Sequence, residues 1–281
     1  MADHPTRGDR VSIVIPCFNC RPFIEETITS AFHQTLAPHQ VIAVDDGSTD
    51  GTWKELQRLK ADHFPSLELL SHPHHANLGP SATRQRGVRA ATGDHVAFLD
   101  GDDTFYPEKL ETQVRALNAH PDVVLCHSAI TVIGDRNRAE SFEGYFRHNP
   151  RGPYSLRRHK EYLVNNYINT SSVMVRARVI KCINFAIPYR PHQYEDLLCW
   201  CLLAGKGRFL YLDLALTGYR VHSANTTSAI DANRLIRLHA ILECRLALLT
   251  KTGWNPHCFR LAASVLNSLR EMIQEYRKSG L

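Results

Sequence analysis

Apolar positions follow two alternating patterns over the first 130 residues of the chain. Short β-branched runs predict strands, and longer stretches with an apolar residue at every third or fourth position predict helices. The predicted strands are residues 11–15, 40–44, 67–70, 95–99 and 123–126. The predicted helices lie within residues 23–32, 53–59, 81–91 and 108–119. This succession predicts an α/β fold, with a mostly parallel sheet flanked by helices on both faces.

The pattern becomes less regular after residue 130. Short strands are predicted at residues 172–176, 209–211 and 216–220, and one helix at residues 195–204, which ends before glycine. Residues 230–280 have helical spacing throughout, with a break near residue 253. The chain therefore ends, by this pattern, in a helical extension.

Size and composition narrow the class of protein. With 281 residues, 43% hydrophobic and 22% charged, the chain can form one large or two modest domains. It has no apolar run of the ~20 residues that cross a bilayer, and residues 1–10 lack the apolar segment of a secretory signal. We therefore expect a cytoplasmic protein. Eight cysteines are too few for a disulfide scaffold, although Cys17 and Cys20 have the spacing of a redox pair.

The charge is modest and evenly distributed. The chain has 33 Lys and Arg against 28 Asp and Glu, a net charge of +5 that is not gathered into a basic arm. We expect no nucleic-acid partner, and the charge is compatible with a phosphorylated ligand or contact with an anionic membrane surface.

Three carboxylates, Asp100, Asp102 and Asp103, follow the strand predicted at residues 95–99. Carboxylates crowded at a strand end repel one another unless a divalent cation lies among them. The cluster is therefore a candidate metal site. The alternative is a solvated acidic turn that caps the helix following Pro107.

Asp45 and Asp46 end another apolar strand, where a carboxylate can accept hydrogen bonds from a base or a ribose. The next helix would offer its N-terminal amides to the same ligand. In the alternative, Asp45 is solvated and one of residues 48–50 caps that helix.

Three further side chains are candidates, each with an ordinary alternative. Arg84 can reach a diphosphate, or be a surface arginine. Asp196 can act as a general base, or only complement a helix dipole. His222 can complete a metal shell, or be a loop histidine. The histidines within residues 72–75 have no Cys or carboxylate beside them, and we interpret them as a solvated loop.

Six motifs occur in a fixed order: VSIVIPCFN, VDDGSTDGT, NLGPSATR, GDHVAFLDGDD, YED and YRVH. Together they closely resemble the family 2 inverting glycosyltransferases of GT-A fold, over residues 11 to 227. The resemblance implies a nucleotide-sugar donor, UDP- or dTDP-linked in the family's usual members, bound with Mg²⁺ or Mn²⁺. It also implies transfer of a hexose, with inversion, to a saccharide or lipid-linked acceptor in polysaccharide or glycoconjugate synthesis.

The resemblance assigns roles to particular residues. The implied donor-binding residues are Pro16, Phe18, Asn19, Asp45, Asp46, Arg84 and Asp100. Among these, Pro16, Phe18 and Asp46 fall where the family holds the base and ribose, and Arg84 where it steadies the diphosphate. Asp102 is the implied metal ligand, with His222 as a further metal or diphosphate contact. Asp196 falls where the family keeps its general base.

The same resemblance divides the chain. Residues 1–228 form the expected GT-A domain, with a nucleotide-sugar half (11–128) and an acceptor half (129–228), and residues 229–281 are the helical extension. We expect that extension to pack on the core, on a second copy of the chain in a homodimer, or on the inner face of a membrane. A silent nucleotide- or carbohydrate-binding protein remains an alternative. A sugar nucleotidyltransferase is another, although residues 16–20 lack the glycine and lysine of its triphosphate loop.

Overall fold

The computed structural model describes residues 8–135, 152–154, 168–186 and 195–223, with a few helical positions beyond residue 240. The helical extension predicted at residues 229–281 lies, apart from those positions, outside the described residues. Within the described part of the chain, none of the helices has the length and apolar character needed to cross a membrane.

Nine strands and six α-helices are described. The strands are β1 (Val11–Cys17), β2 (Gln40–Asp45), β3 (Leu67–Ser71), β4 (His95–Phe98), β5 (Thr104–Phe105), β6 (Val123–Gly134), β7 (Gly152–Tyr154), β8 (Met174–Arg176) and β9 (Arg208–Val221). The helices are α1 (Ile24–Phe32), α2 (Thr52–Asp62), α3 (Pro80–Ala90), α4 (Lys109–Ala119), α5 (Ala177–Ile180) and α6 (Glu195–Ala204).

All nine strands belong to one sheet with the order β3-β2-β1-β4-β8-β6-β9-β5, and β7 also pairs with β9. The first four strands of this order are parallel, as are β6 and β9. Strand β8 lies between β4 and β6 and is antiparallel to both. The α/β prediction is confirmed, and the sheet is parallel in its first half and mixed in its second.

Successive side chains of a strand point to opposite faces of the sheet. Those of the buried strands are apolar on both faces, and helices cover each face. Ile13 and Ile15 of β1 face the cluster that includes side chains of α1, α2 and α4. Val14 faces the opposite cluster, which includes side chains of α3, α5 and α6. All three β1 side chains are fully buried. The parallel strands are therefore fixed between two apolar layers, and their carboxyl ends form one rigid edge.

The second half of the sheet departs from the sequence prediction in one respect. Residues 209–211 and 216–220 are not separate strands but parts of β9, which is 14 residues long. Residues 213–215, between the two predicted strands, are exposed, but the same strand pairs with β6 on both sides of them. That pairing shifts register between Ser128 and Ala129, as at a β-bulge.

Helix α3 approaches β1 closely at Gly87, where a Cβ atom would lie 2.3 Å from Val14 Cγ1. We expect Gly87→Ala to destabilise the protein by about 1–3 kcal/mol, since the overlap outweighs the roughly 1 kcal/mol that alanine gains in a helix. Urea unfolding of the variant measures this loss. Arg89→Ala, at an exposed position of the same helix, is the control. A Gly87→Ala protein as stable as wild type would contradict this packing.

Candidate active site

The loops after β1 and β2 lie side by side at the carboxyl edge of the sheet. Asn19 joins them, since its backbone N–H donates to Ser48 Oγ at 3.0 Å and its Oδ1 accepts from the Thr49 N–H at 2.8 Å. Asn19 adopts a left-handed conformation with φ of 49°. The neighbouring Phe18 side chain is 50% exposed. Pro16 pairs in register with Val44 of β2. These contacts present an aromatic ring at the edge where ligands bind in such sheets.

The two carboxylates after β2 have different environments. Asp46 turns inward, and its oxygens accept from the N–H groups of Leu78 at 2.7 Å and Gly79 at 3.0 Å. Asp45 is 1% exposed, so it is not solvated, and its Oδ2 accepts from the N–H groups of Gly47 and Ser48. Its other oxygen, Oδ1, is buried and has no hydrogen-bond partner among the described residues. Asp45 therefore keeps a free acceptor at this edge.

His72 lies beneath this pair rather than in the solvated loop that we expected. It is 5% exposed, and its Nε2 lies 3.0 Å from Thr83 Oγ1 and 3.5 Å from Asp46 Oδ1. Burial lowers the pKa of His72 and raises the pKa of Asp46. The expectation is wrong for His72, because sequence spacing does not reveal that Asp46 comes close to it in space. His74 and His75 are exposed, as expected.

The alternative considered for this loop, in which one of residues 48–50 caps α2, holds only in part. Asp50 accepts from the Thr52 N–H at 2.9 Å and from Thr52 Oγ1 at 2.6 Å. Asp50 also accepts from the Arg21 N–H at 3.0 Å. Asp50 thus satisfies the first amide of α2, although the N-cap residue itself is Gly51. Asp45 takes no part in these contacts.

The cysteines at the end of β1 are both buried, with free thiols. Hydrogen bonding to Cys20, together with burial, raises the pKa of Cys17 well above its ordinary value. Because the thiolate is the reactive form, this environment disfavours a redox role.

Arg84 is directed from α3 toward the acidic residues after β4. Its Nη2 lies 2.6 Å from Asp100 Oδ1, and the arginine is only 9% exposed. The alternative of a surface arginine is therefore wrong. The pair places a guanidinium group beside the residues 100–103, which we call the acidic loop.

Asp103 holds the acidic loop inside the protein. Its side chain is 1% exposed, and it accepts from Ser171 Oγ at 2.5 Å and from the Arg220 N–H at 2.8 Å. Burial, followed by the charges of Asp102 and Asp100, raises the pKa of Asp103 well above its ordinary value. No side-chain cap from the acidic loop is present at α4, which argues against the solvated capping turn.

Asp102 and His222 face each other at the surface of this loop. Asp102 Oδ2 lies 3.0 Å from His222 Nε2, and the side chains are 27% and 20% exposed. Two adjacent ligands of an octahedral Mg²⁺, each about 2.1 Å from the ion, also lie about 3.0 Å apart. The pair therefore fits two positions of such a shell. Within the described residues no group of three His, Cys, Asp or Glu side chains is arranged to hold a metal.

Arg220, which sequence reasoning did not select, fixes the acidic loop from β9. Its Nε donates to the Asp102 carbonyl oxygen at 2.8 Å and its Nη2 to Glu26 at 2.6 Å. The guanidinium carbon also lies 5.2 Å from the centre of the Phe23 ring. These contacts hold the backbone of Asp102 in place while leaving its carboxylate to face His222.

Asp196, at the start of α6, is connected to the acidic loop by a single turn, Thr170–Ser172. Thr170 Oγ1 lies 3.5 Å from Asp196 Oδ2, and Asp196 Oδ1 accepts from the Leu197 N–H at 2.7 Å. On the other side, Ser171 Oγ donates to Asp103 and accepts from the Asp100 N–H at 3.0 Å. Asp196 and the acidic loop thus both contact the same three-residue turn.

The sequence offered little indication of this turn. Residues 169–172 form a short polar run within a segment where we recognised no motif. The one available signal was a cluster of hydroxyl side chains before β8, a pattern that also occurs in ordinary loops.

Comparison of the fold with solved structures defines the class of protein as a GT-A glycosyltransferase fold. Residues 1–349 of TarS from S. aureus, in complex with UDP-GlcNAc, match with a TM-score of 0.69 and 18% identity, over 92% of this chain and 72% of that one. The mannosyltransferase PcManGT from Pyrobaculum calidifontis, in complex with GDP-Man and Mn²⁺, matches with a TM-score of 0.61 and 17% identity, over 99% and 77%.

The family model of glycosyl transferase family 2 matches residues 12–183, and the chain belongs to this family. It is 29% identical over 234 residues to the UDP-Glc:alpha-D-GlcNAc-diphosphoundecaprenol beta-1,3-glucosyltransferase WfaP of Escherichia coli, covering 83% of this chain and 85% of that protein. The chain spans about half the length, 45% and 44%, of two curated relatives that it matches over its whole length.

Proposed function

We propose that the chain transfers a hexose from a nucleoside diphosphate sugar to an acceptor hydroxyl, with inversion at the anomeric carbon. The observation that carries this proposal is the Thr170–Ser172 turn, which contacts Asp196 on one side and the acidic loop on the other. A carboxylate that takes the acceptor's proton and a cluster that would hold a cation against the donor's leaving diphosphate must lie at one site, because both groups serve the same transfer reaction. Family membership and the similarity to donor-bound GT-A structures support the assignment.

The base of the donor binds, in this proposal, between Phe18 and Asp45. The exposed Phe18 ring offers a surface for stacking, and the buried Oδ1 of Asp45 accepts the imide N–H of uracil or thymine. Asp46 then supports the site from within, since its oxygens already accept from Leu78 and Gly79. The base contact is therefore assigned to Asp45 rather than to Asp46.

Asp102 and His222 would hold a divalent cation, Mg²⁺ or Mn²⁺, with donor phosphate oxygens completing its shell. When bound, the ion supplies neutralisation of charge on the departing diphosphate. Arg84, paired with Asp100, lies beside the loop and steadies the same phosphates. The Mn²⁺ complex of the PcManGT neighbour supports this choice of cation.

Asp196 would take the proton of the acceptor hydroxyl as that oxygen attacks the anomeric carbon. Direct attack from the face opposite the diphosphate gives inversion. The similarity to WfaP, named for a diphosphoundecaprenol substrate, supports a saccharide on a lipid-linked carrier as the acceptor and a role in polysaccharide or glycoconjugate synthesis. The division into a donor half at residues 11–128 and an acceptor half at 129–228 remains a prediction, as do the cytoplasmic location, the membrane contact and the homodimer.

The test is a thermal-shift screen of UDP, dTDP, GDP and ADP, each with and without Mn²⁺. A nucleotide at about 100 times its dissociation constant stabilises the folded protein by about 2.7 kcal/mol, or about 5 °C in Tm. We expect UDP or dTDP with Mn²⁺ to give this shift, and the matching sugar donor to be hydrolysed slowly when acceptor is absent. Binding without hydrolysis or transfer would indicate a silent binding protein instead.

A further inference from the structure

The Thr170–Ser172 turn is itself held from beneath by two side chains of α4. The carbonyl oxygen of Ser172 accepts from Lys109 Nζ at 3.0 Å and from Gln113 Nε2 at 2.8 Å. Lys109 Nζ also donates to Gln113 Oε1 at 2.8 Å. Lys109 and Gln113, which we call the α4 pair, lie four residues apart on one face of the helix. The α4 pair therefore fixes a single backbone carbonyl through three connected hydrogen bonds.

These bonds lie in the interior of the protein. Lys109 and Gln113 are fully buried, and Ser172 is 1% exposed. The Phe105 ring lies 4.7 Å from Lys109 Nζ, and Gln113 also donates to the Cys126 carbonyl oxygen at 3.4 Å. In such surroundings hydrogen bonds are strong and their geometry is well defined. A movement of α4 side chains would be transmitted directly to the turn.

Burying the ammonium group of Lys109 at this position costs free energy. Burial lowers the pKa of Lys109 to about 7. Both hydrogen-bond acceptors of its Nζ are neutral groups. Replacing a buried charged group by an apolar side chain of similar volume is often neutral or stabilising. Stability alone therefore gives no reason for an ammonium group here, whereas a need to hold the Ser172 carbonyl does.

The turn lies between Asp196 and the acidic loop and contacts both. Ser171 Oγ contacts both the Asp100 N–H and the Asp103 carboxylate, and Thr170 contacts Asp196. Ser171 is also held through its carbonyl oxygen, which accepts from Thr217 Oγ1 at 3.2 Å. The turn is thus the structural element between the acidic loop and the base, and its position sets the distance between them.

We propose that Lys109 and Gln113 are positioning residues, which fix the Thr170–Ser172 turn and so keep Asp196 aligned with the acidic loop. This inference rests on the proposed function, because alignment affects rate only if both groups act in one transfer reaction. Neither side chain touches the substrate. A displacement of about 1 Å in reacting groups can reduce rate about 10²-fold, so a modest shift of the turn has a measurable effect.

The variants are Lys109→Met and Gln113→Met, which keep the side-chain volume and remove the donors to Ser172. We expect kcat to fall about tenfold or more in each, with the donor KM within about threefold of wild type, since other contacts hold the base-binding loops. The control is Gln40→Met, which removes a buried amide that bonds Ser12, Glu68 and Thr92, away from the turn. That variant should lose stability and keep its kcat.

Hydrogen exchange measured without metal or nucleotide provides a second readout. We expect peptides covering residues 98–104 and 168–176 to exchange faster in Lys109→Met and Gln113→Met, but not in Gln40→Met. Ser171→Ala tests the connection, because two changes that act through one turn should not add. We therefore expect kcat of the double variant Lys109→Met/Ser171→Ala to be little lower than kcat of the less active single variant.

The outcomes separate the two proposals. A wild-type protein that transfers no sugar overturns the proposed function, and hydrogen exchange still decides whether the α4 pair holds the turn. An active wild type with unchanged kcat and exchange in both α4 variants overturns the inference. So does an equal loss of kcat in Gln40→Met, which would mean that general destabilisation causes the effect. If Lys109→Met does not fold, Gln113→Met carries the test.

Discussion

Replacing Asp196 with Asn is expected to lower kcat for sugar transfer about 10²- to 10⁴-fold, the usual contribution of a general base. The amide keeps the size of the side chain but cannot take the proton of the acceptor hydroxyl. Asp196 contacts Thr170 and the Leu197 N–H, and in the proposed mechanism it acts on the acceptor rather than on the donor. The Mn²⁺-dependent shift with nucleotide should therefore be unchanged. Steady-state kinetics and thermal shift on the same preparation measure the two effects.

The control is Glu195→Gln, which alters the neighbouring carboxylate in the sequence and should leave kcat within a few-fold of wild type. An Asp196→Asn protein that retains wild-type kcat would remove the base from the mechanism. A loss of nucleotide binding in that variant would instead mean that Asp196 supports the donor site, and the fall in kcat would no longer report on proton transfer.

Local patterns were sufficient for the first half of the fold. Helix α3 was expected at residues 81–91 and runs over Pro80–Ala90, and α4 was expected at 108–119 and runs over Lys109–Ala119. Buried parallel strands give continuous apolar runs, and amphipathic helices give a period near 3.6 residues, so both are visible in sequence. The short strand β5 was missed because two residues are too few to establish a period.

The second half of the sheet depends on partners that are distant in sequence. Strand β6 continues to Gly134, beyond the four residues predicted, because it pairs along the length of β9. Its later residues are half-buried or exposed, and they lack the apolar signal of its start. Pairing between strands more than 80 residues apart is a tertiary effect, and it overrides local propensity.

The sequence predicts the charged residues of the candidate site, but not the residues that hold them in place. Asp100, Asp102, Asp196 and His222 carry a recognisable chemistry, and the motifs give their order. Ser171 makes two hydrogen bonds to the acidic loop, but a serine in a polar run has many ordinary explanations. Lys109 occupies a position on the apolar face of α4, where the hydrophobic pattern alone would favour an apolar residue. A charged residue in that pattern was the available sign of a buried network.

Replacing Asp102 with Asn is expected to abolish the Mn²⁺-dependent part of nucleotide binding and to lower kcat by about 10²- to 10³-fold. Neutralising a leaving diphosphate contributes several kcal/mol, and each 1.36 kcal/mol is tenfold in rate. The amide is similar in size and keeps one oxygen, so the contacts of the Asp102 backbone with Arg220 should persist. Thermal shift with nucleotide across a series of Mn²⁺ concentrations measures the first effect, and single-turnover kinetics the second.

The matched control for Asp102→Asn is Asp122→Asn, which removes the same charge from an exposed pair with Arg208 at the start of β6. Its Mn²⁺ dependence should equal that of wild type, because a screened surface charge contributes little at a distance. Both variants change the net charge equally, so a difference between them must come from the position of Asp102 and not from net charge. If Asp102→Asn binds nucleotide with the wild-type dependence on Mn²⁺, the cation is not held by Asp102. The short Asp102–His222 distance would then be an ordinary hydrogen bond, and charge on the diphosphate would have to be neutralised by Arg84.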